Sequence, residues 1–208
     1  PNENDGATVY RLRVPADVLI HYDTTTVLLR KALDQEVRAT DRVLEMGIGQ
    51  AALLSLFIAK KKKIIPSGVD LSPARVDSSV VTASLNNIRA NFWVSNLFSK
   101  VDGAFDVIFF NPPYVDTESG RKLNLSKRLS LESDAAWDGG VGGTDIIQQF
   151  MNDSARHLVS GGKLIVGVQD FYVGKDTIEQ IAREAGYYIH RVITGKLNPS
   201  MVYILRKQ

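Results

Sequence analysis

The chain has 208 residues, a formal net charge of +2 at pH 7, 44% hydrophobic and 23% charged residues. These values suit one large globular domain and argue against disorder, a collagen-like chain or a simple coiled coil. The absence of cysteine excludes disulfides, thiolate metal sites and a cysteine nucleophile, and fits a reducing compartment such as the cytoplasm. No apolar run is long enough to span a bilayer, and residues 1–5 are polar, unlike a signal peptide. His21, His157 and His190 lie too far apart in sequence to suggest a zinc cluster. The net charge is too small to mark a nucleic-acid binder by itself.

Residues 1–6 read as a loose tail. The apolar run Val18-Leu19-Ile20 precedes helical spacing over 27–33, which predicts a lead-in helix. A short apolar strand over 43–46 breaks at Gly47, and a mostly apolar helix follows over 51–59. A second strand is expected from Ile64 to Asp70. Ser72-Pro73 then reads as an N-cap followed by proline at the first helical position, opening a helix to about Ala90. Residues 92–94 form the third expected strand. Residues 105–110 form the fourth, apolar enough to be buried on both faces.

The long polar stretch 116–134 reads as a mobile lid, and residues 144–158 as helical. Gly161-Gly162 is expected to turn the chain into a fifth strand over 163–168. A helix over 175–185 ends at Gly186, and strands over 187–193 and 201–205 close the chain as an antiparallel edge hairpin. Alternating strands and helices predict a doubly wound α/β sheet, mostly parallel in its first part. Residues 1–40 are expected to be a tail and lead-in helix covering a cofactor site, and residues 41–208 the main domain.

Two loops carry the chemistry. Glu45-Met46-Gly47-Ile48-Gly49-Gln50 joins the first strand to its helix, where glycines let the backbone approach a ligand. Asp70 ends the next strand at the distance expected of an acid that accepts ribose hydroxyls. Together they indicate a nucleoside-cofactor site, with Leu71 beside Asp70. Gly47 to Ala52 also fits the dinucleotide pattern, but a carboxylate at Glu45 repels a pyrophosphate and attracts a cation. The loop does not by itself name the cofactor, but S-adenosylmethionine (SAM) carries an ammonium and a sulfonium and no phosphate.

The second loop, Asn111-Pro112-Pro113-Tyr114, follows the buried fourth strand directly. Ligands of open α/β sheets bind at the carboxyl ends of strands. Two prolines remove two N–H donors and fix φ, leaving a rigid edge of carbonyl acceptors to which Asn111 adds its side-chain oxygen. Such an edge can take both hydrogens of a planar NH2 group, and Tyr114 offers a flat face beside it. The expected reaction is N-methylation. Asn111, Pro112, Pro113 and Tyr114 are the catalytic candidates, and positioning supplies much of the rate.

These residues resemble the class I SAM-dependent methyltransferases of the NPPY group, with HemK-like protein-glutamine N5-methyltransferases the nearest branch. Glu45-x-Gly47-x-Gly49 resembles that family's SAM loop, Asp70 its ribose acid, and residues 111–114 its catalytic tetrapeptide unchanged. Ala136-Trp137-Asp138-Gly139-Gly140, followed by Gly142-Gly143, resembles a glycine-rich stretch of the HemK-like branch. The resemblance implies a seven-stranded Rossmann-like sheet with a reversed last strand. It also implies cofactor contacts from Asn96, standing where the family usually has Asp, with Leu97 beside it, and from Thr25 in the lead-in. Gln50 replaces the third glycine of the loop.

The implied substrate is a glutamine amide of a protein such as a release factor or ribosomal protein. The compact form resembles methylases that work with a small activator subunit. The alternatives are adenine N6 of RNA or DNA, an NAD-dependent oxidoreductase, and a non-catalytic SAM-binding module. Lys60 to Lys63 are read as solvated cations at a helix C-terminus, His157 and His190 as ordinary packing or surface residues, and Trp137 as a pocket wall or a lid anchor.

Overall fold

In the computed structural model, strand 105–110 lies at the centre of the sheet and is covered on both faces. The structure describes residues 8–16, 18, 20, 23–129, 133–195 and 199–208. The expected tail 1–6, and Leu19, His21 and Tyr22 of the lead-in, lie outside the described residues. The strands are β1 (Thr8–Val9), β2 (Leu12–Arg13), β3 (Val43–Met46), β4 (Ser67–Asp70), β5 (Asn91–Val94), β6 (Phe105–Phe110), β7 (Leu158–Gln169), β8 (Tyr187–Thr194) and β9 (Ser200–Lys207). The helices are α1 (Thr24–Glu36), α2 (Leu53–Lys62), α3 (Pro73–Leu85), α4 (Thr117–Lys122), α5 (Leu125–Arg128), α6 (Asp145–Ser154) and α7 (Lys175–Glu184).

Seven strands form one sheet in the order β5-β4-β3-β6-β7-β9-β8. The first five run parallel, and β9 runs antiparallel to both β7 and β8. This is the expected mostly parallel sheet with a reversed last strand and an antiparallel terminal hairpin. Side chains alternate across it. Ile108 and Phe110 pack with Ile147, Phe150 and Ile178 from α6 and α7. Val107 and Phe109 pack with Leu29 and Leu33 of α1 and with Leu54 and Ile58 of α2. Burying each such side chain contributes roughly 1.5–3 kcal/mol, and that double coverage fixes where β6 ends and the tetrapeptide begins.

Several boundaries differ from expectation. β4 starts at Ser67, because Pro66 has no N–H for the ladder and Ile65 is exposed. α3 stops at Leu85, where the Asn86 amide turns back to the Thr82 carbonyl and Asn87 takes a left-handed φ of 54°. Gly161-Gly162 does not precede β7. It lies within the strand, in a bulge between the pairs Phe105–Leu158 and Val107–Lys163. The stretch read as a lid carries α4, α5 and a 3-10 turn over Asp134–Ala136. The hairpin β1–β2 was not foreseen; its Leu12 packs with Leu53 and Leu56 of α2.

Three of the four lysines at the end of α2 make contacts while staying at the surface. Lys60 donates to the Arg11 carbonyl, and Lys61 and Lys62 both reach Asp34 of α1. No helix among the described residues is long and apolar enough to cross a membrane.

At the end of α1, Glu36 accepts from Lys163 of β7 at 2.8 Å and pairs with Arg191 of β8. Burial raises its pKa, but the Lys163 hydrogen bond and charge outweigh this and hold it below the usual 4.5. The stability it contributes is present above the unfolded value and lost as pH falls through the lower folded one. Glu36→Gln should cost about 1.5–3 kcal/mol in denaturant unfolding at pH 7. The difference from the parent chain should shrink as pH falls below 4.5.

Candidate functional site

The loop after β3 turns on Gly47 (φ 68°) and Gly49 (φ 65°), a region favourable only for glycine. The Gly47 and Ile48 amides donate to the Val69 carbonyl of β4 at 2.8 and 3.0 Å. A Cβ on Gly47 would lie 2.8 Å from the Phe110 ring. The Gly49 amide donates to Asp70 Oδ2 at 2.9 Å, and the Ser72 amide to Oδ1 at 3.0 Å. Arg75, one turn into α3, stands 3.8 Å from Oδ1. Asp70 is thus a buried carboxylate held by the loop it serves.

Glu45 differs. It is 5% exposed, and its Oε2 accepts from the Ser55 amide at 3.1 Å, capping the start of α2 from the neighbouring strand. Burial raises its pKa to about 8, the Asp70 charge adds to this, and the Ser55 hydrogen bonds offset part of it. Glu45 therefore holds its proton more tightly than an exposed carboxyl does. A cation seated against it would draw that proton off.

At the end of β6, Asn111 Oδ1 is buried and has no hydrogen-bond partner among the described residues. Asn111 Nδ2 donates to Thr26 Oγ1 at 3.3 Å. The Tyr114 hydroxyl donates to Asp23 Oδ2 at 3.2 Å and lies 3.4 Å from Thr25 Oγ1. Burial first, and then the Asp23 charge, raises the Tyr114 pKa, so the phenol keeps its proton. The N-terminus of α1 is therefore braced against both ends of the tetrapeptide.

The glycine-rich segment braces the other side. The Val115 amide donates to the Trp137 carbonyl and the Gly139 amide to the Val115 carbonyl, both at 2.9 Å. A Cβ on Gly143, whose φ is 73°, would fall 2.3 Å from the Tyr114 carbonyl oxygen, and one on Gly139 2.9 Å from that of Pro113. Trp137 is 5% exposed and lies against Gly120 of α4, where a Cβ would meet its ring at 2.0 Å. Its Nε1 donates to Ser126 of α5 at 2.8 Å. It both lines the cavity and holds α4 and α5 beside it.

One cavity of about 680 Å³ joins these parts, a size suited to a small-molecule site. It gathers Glu45, Gly47, Gly49, Asp70, Leu71, Asn96, Leu97 and residues 111–114. Thr25 does not line it; fully buried, it stands behind Tyr114. Asp23, Thr26, Arg75, Gln169 and Tyr172 also line it and were missed. For Asp23 and Thr26 the signal was the capping pair Asp-x-x-Thr at a helix start. Gln50 contributes a buried Oε1 that has no partner among the described residues. His157 stacks on Phe98 at 4.9 Å, away from the cavity.

Residues 19–140, more than half of the chain, match the methyltransferase small domain family. A relative from Methanocaldococcus jannaschii, named "putative protein N5-glutamine methyltransferase", is 34% identical over 173 residues, covering 82% of each chain. A release factor glutamine methyltransferase of Rhodopirellula baltica is 30% identical over 85% of this chain and 62% of its own. The ribosomal RNA small subunit methyltransferase C of Escherichia coli is 28% identical over 73% of this chain and 40% of its own. Among solved structures, a 16S rRNA N2 methyltransferase of Thermus thermophilus, in complex with AdoMet and guanosine, shares the fold. Its TM-score is 0.66 at 18% identity, over 99% of this chain and 50% of that one.

The chain belongs to the methyltransferase small domain family, within the class I Rossmann-like fold. It is a SAM-dependent methyltransferase. The residues present fit that cofactor, with a glycine turn, the buried acid Asp70 held against it, and an unpartnered Gln50 Oε1 in one cavity.

Two outcomes follow from this geometry. Folding stability linked to Glu45 is fully present below its unfolded value of 4.5 and lost as pH rises through about 8. Glu45→Gln should therefore flatten the fall in thermal midpoint between pH 6 and pH 9 and be the more stable form at pH 9. Gly143→Ala should lower the midpoint and weaken turnover together, because both φ and the Tyr114 carbonyl reject a Cβ.

Proposed function

We propose that this enzyme methylates the side-chain amide nitrogen of a protein glutamine, in a release factor or ribosomal protein. The observation that carries the reading is Asn111 Oδ1, a buried acceptor with no partner among the described residues, set in the cavity wall. Leaving such an atom unpaired costs about 1–3 kcal/mol, which a substrate N–H would recover. The Pro112 carbonyl follows it, and neither Pro112 nor Pro113 has an N–H to compete for acceptors.

In this reading Glu45, Gly47, Gly49 and Asp70, with Leu71, Asn96 and Leu97, hold SAM, which supplies an electrophilic methyl group. Asn111 Oδ1 and the Pro112 carbonyl each accept one N–H of the target amide. They orient its nitrogen and raise its electron density. The Tyr114 ring bounds the amide plane while its hydroxyl stays bonded to Asp23. Thr25 supports Tyr114 from behind. The N-terminal 40 residues close the site through α1, and residues 41–208 form the catalytic domain. The likeness to the protein-glutamine enzymes, at 34% and 30% identity, supports this substrate.

One observation favours a second reading, the amino group of an RNA base. Phe171 is 80% exposed and stands edge-on to Tyr172 of the cavity wall at 5.1 Å, where a base could stack. A single assay separates the two. Methyl-labelled SAM is incubated with the chain and either glutamine-bearing release-factor and ribosomal proteins or total RNA. Label on a glutamine side chain, found by peptide mass spectrometry, is the expected result; label in RNA alone overturns it. Asn111→Ala should then lower kcat roughly 10²-fold while binding of S-adenosylhomocysteine stays within a few-fold.

A further inference from the structure

Asp23 and Thr26 stand at the start of α1 with an uninterrupted chain of directed hydrogen bonds into the tetrapeptide. Asp23 Oδ1 accepts from the Thr26 amide and from the Thr26 hydroxyl, both at 2.7 Å. Asp23 Oδ2 accepts from the Tyr114 hydroxyl at 3.2 Å. Thr26 Oγ1 in turn accepts from Asn111 Nδ2 at 3.3 Å. A carboxylate has no hydrogen to give, so every bond to Asp23 must point toward it. Thr26 has one hydroxyl hydrogen. Its short, charge-assisted bond to Asp23 commits that hydrogen, and only lone pairs remain on the side facing Asn111.

That polarity decides which way the Asn111 amide points. With Oδ1 toward Thr26, two sets of lone pairs would face each other. With Nδ2 toward Thr26, a hydrogen bond forms and Oδ1 faces the cavity. The second arrangement is the observed one, with Oδ1 buried and unpartnered. We infer that Thr26, its hydroxyl oriented by Asp23, is a positioning residue. It fixes the Asn111 side-chain amide so that the acceptor oxygen, not the NH2 group, meets the target nitrogen. Asn111 flipped by half a turn would present two donors to a substrate that also has only donors there. The inference rests on Asn111 being the group that receives the target N–H.

The test is Thr26→Val, which keeps the shape of the side chain and removes the oxygen, with Thr26→Ser as the conservative partner. One readout needs no substrate. The Asn111 Nδ2 hydrogens, identified by their loss in Asn111→Ala, are followed by amide NMR with S-adenosylhomocysteine present. They should exchange with water at least tenfold faster in Thr26→Val and at the parent rate in Thr26→Ser. The second readout uses whichever acceptor the methylation assay establishes. There kcat should fall roughly 10²-fold in Thr26→Val, with KM and S-adenosylhomocysteine affinity within about twofold, and Thr26→Ser should restore it. Unchanged Asn111 exchange in Thr26→Val, or Thr26→Ser as impaired as Thr26→Val, overturns the inference. If the exchange effect appears but glutamine is not methylated, the substrate reading fails and the positioning role stands.

Discussion

The contact on which the acceptor end depends is backbone against backbone, between Gly139–Gly143 and Pro113–Tyr114. Two carbonyls, of Pro113 and Tyr114, lie where side chains on Gly139 and Gly143 would have to be. Because those positions carry no Cβ, the segment closes to hydrogen-bond distance and pairs Val115 with Trp137 and Gly139. That pairing brings Trp137 into the cavity wall, and Gly120 leaves room for its ring. The tetrapeptide is then clamped on one side by this segment and on the other by the N-terminus of α1. Prolines that stiffen a chain locally would give little orientation without both clamps.

Much of this was legible in the sequence because its causes are local. β6 is apolar and buried on both faces from Val107 to Phe110, which marks a central strand. The glycine turn after β3, the N-cap at Ser72 and the prolines after β6 each impose a backbone state wherever they occur. What stayed hidden depends on contacts between distant residues. The two-residue strands β1 and β2 are too short for any periodicity to show. Arg75 reads as an ordinary helix residue until α3 places it beside Asp70. The importance of Asp23 and Thr26 appears only when α1 lands on the tetrapeptide, 85 or more residues away along the chain. A family pattern in the lead-in pointed to Thr25, whereas cap chemistry picks out its neighbours.

The two acids of the cofactor end show why sequence alone misjudges charge. Both are nearly inaccessible, at 4% for Asp70 and 5% for Glu45. Asp70 receives two backbone N–H groups and has a guanidinium within 4 Å. Glu45 receives one N–H and faces the charge of Asp70. At Glu45 desolvation outweighs that single hydrogen bond. Its proton is therefore held more tightly than that of an exposed carboxyl, and a cation seated against it would lower that hold.

The acceptor end has a corresponding one-sidedness. Pro112 and Pro113 have no N–H, the Tyr114 hydrogen is committed to Asp23, and the Asn111 NH2 is turned to Thr26. What this corner offers a ligand is oxygen lone pairs. A carboxylate or a bare carbonyl brought there would meet like partial charges and no donor, whereas an NH2 group brings hydrogens to the unpartnered Asn111 Oδ1. A carboxylate there would leave the buried Asn111 Oδ1 without a donor, at about 1–3 kcal/mol.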